Sequence, residues 1–191
     1  MSFQFRPALL GALGALVLAT PALCAPAAWT VDKAASRLGF KSSFGGEKFD
    51  GTFRRWDAQI AFDPKALAAS KVVVSIDMTS AATGDESRDE ALPTDDWLAA
   101  KKFPRATFTT TSIKDLGGGR YQAAGALAIR GVSKPIVLPF TLQITGQQAK
   151  MAGSVTINRG VFGVGQGQFK SAETVPMEVV VNVSLQARRA P

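Results

Sequence analysis

The sequence holds no histidine and one cysteine, Cys24, in 191 residues. Without imidazole the chain lacks the commonest general base, the commonest zinc and haem ligand, and the side chain that titrates near neutrality. One thiol permits neither an intrachain disulfide nor a multi-cysteine metal site. Ser-His-Asp, Cys-His and His-Glu-x-x-His chemistries are therefore excluded within the chain. Long hydrophobic runs are also missing, and no stretch reaches the roughly 18 apolar residues of a membrane-spanning helix. Tyrosine occurs once, at Tyr121, and tryptophan three times. That is too few for the aromatic girdles of an eight-stranded outer-membrane barrel, and the polar stretch 187–191 does not suit one either.

What remains is a globular composition, 46% apolar and 19% charged, with a net charge of +7. The first residues read differently from the rest. Arg6 is their only charge, and an apolar run of 12 residues, 8–19, ends at Thr20-Pro21. That length suits the apolar region of a secretory signal, and Ala25-Pro26-Ala27 supplies a cleavage pattern. We expect a signal peptide over residues 1–27 and a single domain over 28–191. Leu23 is bulkier than the residue that normally precedes a lipidated cysteine, which disfavours a lipid anchor at Cys24. Cutting near Ala27 removes Cys24 and Arg6, leaving an exported, thiol-free chain of charge +6, in the periplasm.

From Trp29 onward the dominant period is two. Leu38, Phe40 and Phe44 share one face; Phe49, Gly51 and Phe53 share another. The same alternation runs through Ala58, Ile60 and Phe62; Val72, Val74 and Ile76; Leu127 and Ile129; and Ile136, Leu138 and Phe140. It continues through Val155 and Ile157 and then through Val179, Val181, Val183 and Leu185. Such alternation marks half-buried antiparallel strands. Gly45-Gly46, Gly117-Gly118-Gly119, and Gly131 with Pro135 mark turns between them. About eight strands result, which predicts an all-β antiparallel barrel with room for side chains or one small ligand.

Two interruptions read as helical. Asp63-Pro64 begins about one turn, 65–69. The second is a short helical insert over 94–102, with Thr94 as cap, acids first and lysines last, stopped by Pro104. Its segment 95–102 suits a lid over the barrel mouth or a permanent plug. The run Phe162-Gly163-Val164-Gly165-Gln166-Gly167 lacks the context of a phosphate loop and reads as a glycine-rich strand end or bulge. Asn182-Val183-Ser184 fits a glycosylation acceptor but falls inside an expected strand.

An ordered set of motifs spans the chain from Trp29 to about Leu185. It comprises Thr83-Gly84, Arg88-Asp89 with Leu92, Phe103-Pro104 with Phe108, and Ile129-Arg130-Gly131-Val132-Ser133-Lys134-Pro135. Asn158-Arg159 followed by Phe162-Gly163-Val164 completes it. The set resembles the YceI family. Phe169, where relatives often carry tryptophan, and Pro176-Met177 depart from the pattern. The resemblance implies a lipocalin-like, non-enzymatic periplasmic barrel that binds polyisoprenoids or related lipids and quinones. A softer variant hands a quinone to a membrane cytochrome.

The apolar faces supply the candidate lumen: Phe40, Phe53, Phe62, Ile76, Phe108, Leu127, Ile129, Leu138 and Phe140, with Trp97 from the insert. The same residues would fill the core of a barrel with no ligand. At the mouth, Arg88 and Asp89 are head-group candidates. Arg88 has two readings: a forked donor to a phosphate, or a partner of nearby acids that pins the insert. Arg130 and Lys134 have the same two readings. We expect no catalytic residue, metal or cofactor other than a bound isoprenoid, quinone or fatty-acyl lipid. A hydrolase using the acids around Asp85, Glu86, Asp89 and Glu90 is the weaker alternative, because adjacent acids in a loop are usually solvated. The basic charge is scattered, without an aromatic-interleaved stripe for nucleic acid, and suits peripheral contact with an anionic membrane. A homodimer stays open.

Overall fold

The computed structural model describes residues 25–191. The expected leader lies outside the described residues except for Ala25, Pro26 and Ala27. Eleven strands form one antiparallel sheet: β1 (Ala28–Val31), β2 (Arg37–Phe44), β3 (Glu47–Phe53), β4 (Trp56–Ala61), β5 (Lys71–Asp77), β6 (Ala81–Ala82), β7 (Arg105–Gly117), β8 (Arg120–Ile129), β9 (Val132–Thr145), β10 (Gln148–Asn158) and β11 (Glu178–Arg189). Three pairs of these are halves of bent strands. β1 and β2 both lie against β11, while β3 and β4 each pair with one half of that bent strand. β5 and β6 continue one another beside β4 and β3. The result is an eight-strand up-and-down barrel, closed by β11 against β1 and β2. Closure removes the unpaired edges that an open sheet would expose.

The period-two reading places the side chains. Inward positions carry the apolar set, and the alternate positions are mostly polar, among them Thr52, Gln59, Gln122, Thr141 and Asn182. This is the reverse of the outward apolar band that a lipid-embedded barrel needs.

The two ends differ. At one end the connections are short: the 62–70 loop, the turn 117–119 and the turn at Gly146. Aromatic side chains pack that end shut. Trp29 donates through Nε1 to the Phe62 carbonyl at 2.9 Å, Phe62 meets Tyr121 edge-on at 5.8 Å, and Tyr121 stacks on Phe140 at 5.5 Å. Trp29, Phe62, Tyr121, Ala149 and Ala187 are all buried there. Burial, with the negative charge of Asp115 nearby, raises the Tyr121 phenol above its ordinary value.

The other end carries the long connections: the β2–β3 hairpin, residues 83–104, the turn at Arg130-Gly131 and residues 159–177. Here the structure corrects the sequence reading. The helix is α1, Glu86–Ala91, and its cap is Asp85, whose carboxylate accepts from the Arg88 N–H at 2.9 Å. Residues 94–102 form turns instead. The Thr94 hydroxyl donates to the Ala91 carbonyl at 2.6 Å, and Ala99 takes a positive φ of 48°. The reason is burial. Leu98, Ala99 and Ala100 are buried in succession, which one face of a surface helix cannot do. Near Asp63 a 3₁₀ turn forms at Leu67–Ala69. The 162–167 run is not a strand end: a 3₁₀ turn, Arg159–Phe162, ends at Gly163 in the left-handed region, and an irregular loop follows. The bend at 131–135 is a tight turn at Arg130-Gly131, while Pro135 lies within β9.

Candidate functional site

The barrel encloses a cavity of about 600 Å³, within the range that holds small ligands. Phe40, Phe53, Phe62, Ile76, Trp97, Phe108, Leu127, Ile129, Leu138 and Phe140 all line it. The structure adds Ile157, Val179, Val181 and Val183 from β10 and β11, on the alternating faces already read from the sequence, and Phe162 and Phe169 from the 159–177 loop. Several of the large inward rings lie across glycines of the neighbouring strand, which keeps them flat against the wall.

The polar atoms gather at the rim. Arg88 lines the cavity from α1, its guanidinium 4.7 Å from the centre of the Phe49 ring. Its bonds to protein are long, 3.7 Å to Asp85 and 3.4 Å from Nε to Thr83 Oγ1. Ser42, directly across the strand pair from Phe49, also lines the cavity. Its Oγ is shielded from water and has no hydrogen-bond partner within the protein. Thr83, Asp85 and Ser87 complete this polar arc.

Asp89 is not part of the rim facing the cavity. Its carboxylate folds back to accept from the Thr83 N–H at 2.5 Å, the Thr83 hydroxyl at 2.7 Å and the Gly84 N–H at 3.3 Å. Burial alone would raise this carboxyl; the bonds from Thr83 and Gly84 outweigh it and hold the group below its ordinary value. Asp89 thus fixes the loop that presents Arg88. The neighbouring acids are similarly engaged. Asp85 caps α1, and Asp95 pairs with Lys102 at 2.7 Å, which lowers its carboxyl. No two of them face one another across a cleft as paired acid–base carboxylates do. Among the described residues, no group of three or more acidic side chains is placed to hold a metal.

Two arginines organise the loops over the mouth. Arg130 donates to the carbonyls of Asp95 and Trp97, so it pins this loop. Arg159 is 3% exposed, and its guanidinium donates to the carbonyls of Val164, Phe169, Ser171, Val175 and Pro176 at 2.8–2.9 Å. Burial lowers its pKa. This web folds the 164–176 loop inward until the Phe169 ring meets Trp97 at 4.9 Å and Phe44 at 6.4 Å. Gly165 is required there, because it has φ +82° and a Cβ would fall 2.0 Å from an Arg159 nitrogen. The sequence marked Arg159 only as part of a motif; nothing in its spacing reveals five carbonyl partners.

A family model described as a YceI-like domain matches residues 29–187, which is the whole barrel. The chain belongs to the YceI-like family. A UPF0312 protein of Pseudomonas syringae pv. tomato is 32% identical over 180 residues, covering 87% of this chain and 93% of the relative. Among solved YceI-like structures, Burkholderia cenocepacia BcnA superposes with a TM-score of 0.79 at 31% identity, covering 82% of this chain and 99% of that one. A polyisoprenoid binding domain from Saccharophagus degradans, implicated in plant cell wall breakdown, shares the fold with a TM-score of 0.67 at 18% identity. It covers 86% of this chain and 99% of that one.

Proposed function

We propose that this YceI-like barrel is an exported periplasmic carrier or sensor of one long apolar molecule, a polyisoprenoid, quinone or acyl lipid, and not an enzyme. The observation that carries the reading is the asymmetry of the cavity: an apolar blind tube with its polar groups confined to one rim. A chain that is greasy along its length and polar at one end matches that distribution. Burying about ten CH₂ groups contributes roughly 8 kcal/mol before ordering costs, a micromolar scale of binding without any chemistry. In this pose the tail lies along Phe40, Phe108, Leu127 and Leu138, and the polar end meets Arg88 and the free hydroxyl of Ser42. The fold shared with the Saccharophagus domain, whose ligand class is a polyisoprenoid, supports the same reading.

Organic-solvent extraction of the protein from an osmotic-shock fraction, followed by mass spectrometry, tests it. A prenyl, quinone or acyl compound near one per chain is expected. Its identity separates a quinone that could serve a membrane cytochrome from a storage or transport lipid. A lipid-free protein that also takes up no prenyl alcohol or fatty acid from solution overturns the reading.

A further inference from the structure

The charge of the barrel is divided between its ends, which the sequence order conceals. At the mouth lie the acids Asp85, Glu86, Asp89, Glu90, Asp95 and Asp96. Several mouth cations are already engaged: Lys102 with Asp95, Arg88 with Asp85, and Arg130 and Arg159 with backbone carbonyls. The packed end is different. The strand register brings together Lys71 at the start of β5, Lys114 near the end of β7, Arg120 at the start of β8, Lys150 on β10, and Arg188 and Arg189 on β11. Lys65 joins them from the neighbouring loop, and all are exposed. None of the ion pairs among the described residues involves any of them. The acids nearest them serve their own turns instead. Asp32 accepts from the amides of Ala34 and Ala35, Asp63 from that of Lys65, and Asp115 from that of Gly117.

We propose that this packed end is a docking face for an anionic lipid bilayer, so that the mouth points away from the membrane. Three features favour a bilayer over a single anion or a small anionic ligand. The cations are spread around the ring of strands, one or two to a strand, which suits a plane of many headgroups. No pocket concentrates them on one point. The polypeptide also enters the barrel at this end, where the Ala27 carbonyl accepts from the Phe62 N–H at 2.8 Å. The apolar run 8–19 is thus tethered to the basic ring and not to the mouth. The acids of the mouth repel the same surface. The cargo reading is not needed for this proposal, because vesicle binding requires no cargo.

Co-sedimentation with vesicles of phosphatidylcholine plus phosphatidylglycerol, against phosphatidylcholine alone, at low salt, is the test. Three double variants carry the same change in net charge: Lys65→Glu with Lys71→Glu and Arg188→Glu with Arg189→Glu at the packed end, and Lys134→Glu with Lys170→Glu at the mouth. The wild type is expected to bind only the anionic vesicles. Each packed-end double variant loses at least about 30-fold in affinity, the effect of two surface cations, while the mouth variant binds as the wild type does. Arg189 stacks over Trp29 at 5.5 Å, so the lysine pair carries the result if the arginine variant misfolds. Equal losses in all three, a loss confined to the mouth variant, no preference for anionic vesicles, or binding to a soluble polyanion without binding to vesicles overturns the proposal.

Discussion

The Phe40 ring lies across Gly51 of the neighbouring strand so closely that a Cβ at position 51 would sit 2.1 Å from Phe40 Cζ. Two inward phenylalanines repeat the arrangement. A Cβ at Gly125 would meet the Phe108 ring at 2.6 Å, and one at Gly153 would meet the Phe140 Cβ at 3.0 Å. Glycine forms a recess in the wall, and the ring fills it instead of crossing the lumen. Gly51→Ala and Gly125→Ala therefore force the rings inward. Each variant is expected to lose about 1–3 kcal/mol of stability to overpacking and to take up less of a fluorescent prenyl or acyl probe. Urea unfolding and probe titration report the two effects separately. Unchanged uptake would show that the rings do not set the cavity's capacity.

The Arg159 web makes a different prediction. Arg159→Met removes the donor from five carbonyls and leaves them to find water. A loss of about 3 kcal/mol is expected, with faster hydrogen exchange confined to residues 164–176. Arg159→Lys keeps the charge but not the fork, so it should recover little of the protection.

At the rim, Arg88→Gln should weaken binding of a prenyl phosphate about tenfold, the effect of one charge-assisted bond. Binding of the matching prenyl alcohol should change little. Equal losses for both would assign Arg88 to holding α1 in place, not to the head group.

Acid sensitivity has a definite sign. The Thr79 hydroxyl, with Arg55, holds the Asp77 carboxyl at about 2, below its ordinary 3.8. The carboxyls of Asp57 and Asp95, paired with lysines, and of Asp89 are also lowered. A depressed carboxyl stabilises the fold above its unfolded value, and that stability is lost as pH falls through the folded value. Melting temperature should thus fall between pH 3.8 and about 2. No histidine adds a step near neutrality. Asp77→Asn should flatten part of the acid limb and lower stability at pH 7.

The walls were legible and the mouth was not, for one physical reason. Inward and outward strand residues meet different solvents, so Val72, Val74 and Ile76 announce their face by spacing alone. The mouth is built from contacts that leave no period in the sequence. Thr94 followed by two acids and later by two lysines reads as a capped helix, but the burial of Leu98, Ala99 and Ala100 outweighs the few tenths of a kcal/mol that such charge order gives. Asp85, three residues before Arg88 and eight before Pro93, was the better cap. The division of charge escaped for a related reason: Lys71, Arg120 and Arg189 are far apart in sequence, and only strand register places them on one ring.

The aromatic seal of Trp29, Phe62 and Tyr121 imposes an order on exchange. A tube shut at one end has no back door, so an incoming molecule cannot push the resident one out. The resident must leave through the same rim before its successor enters. Release should therefore follow a first-order rate that does not depend on the concentration of competitor.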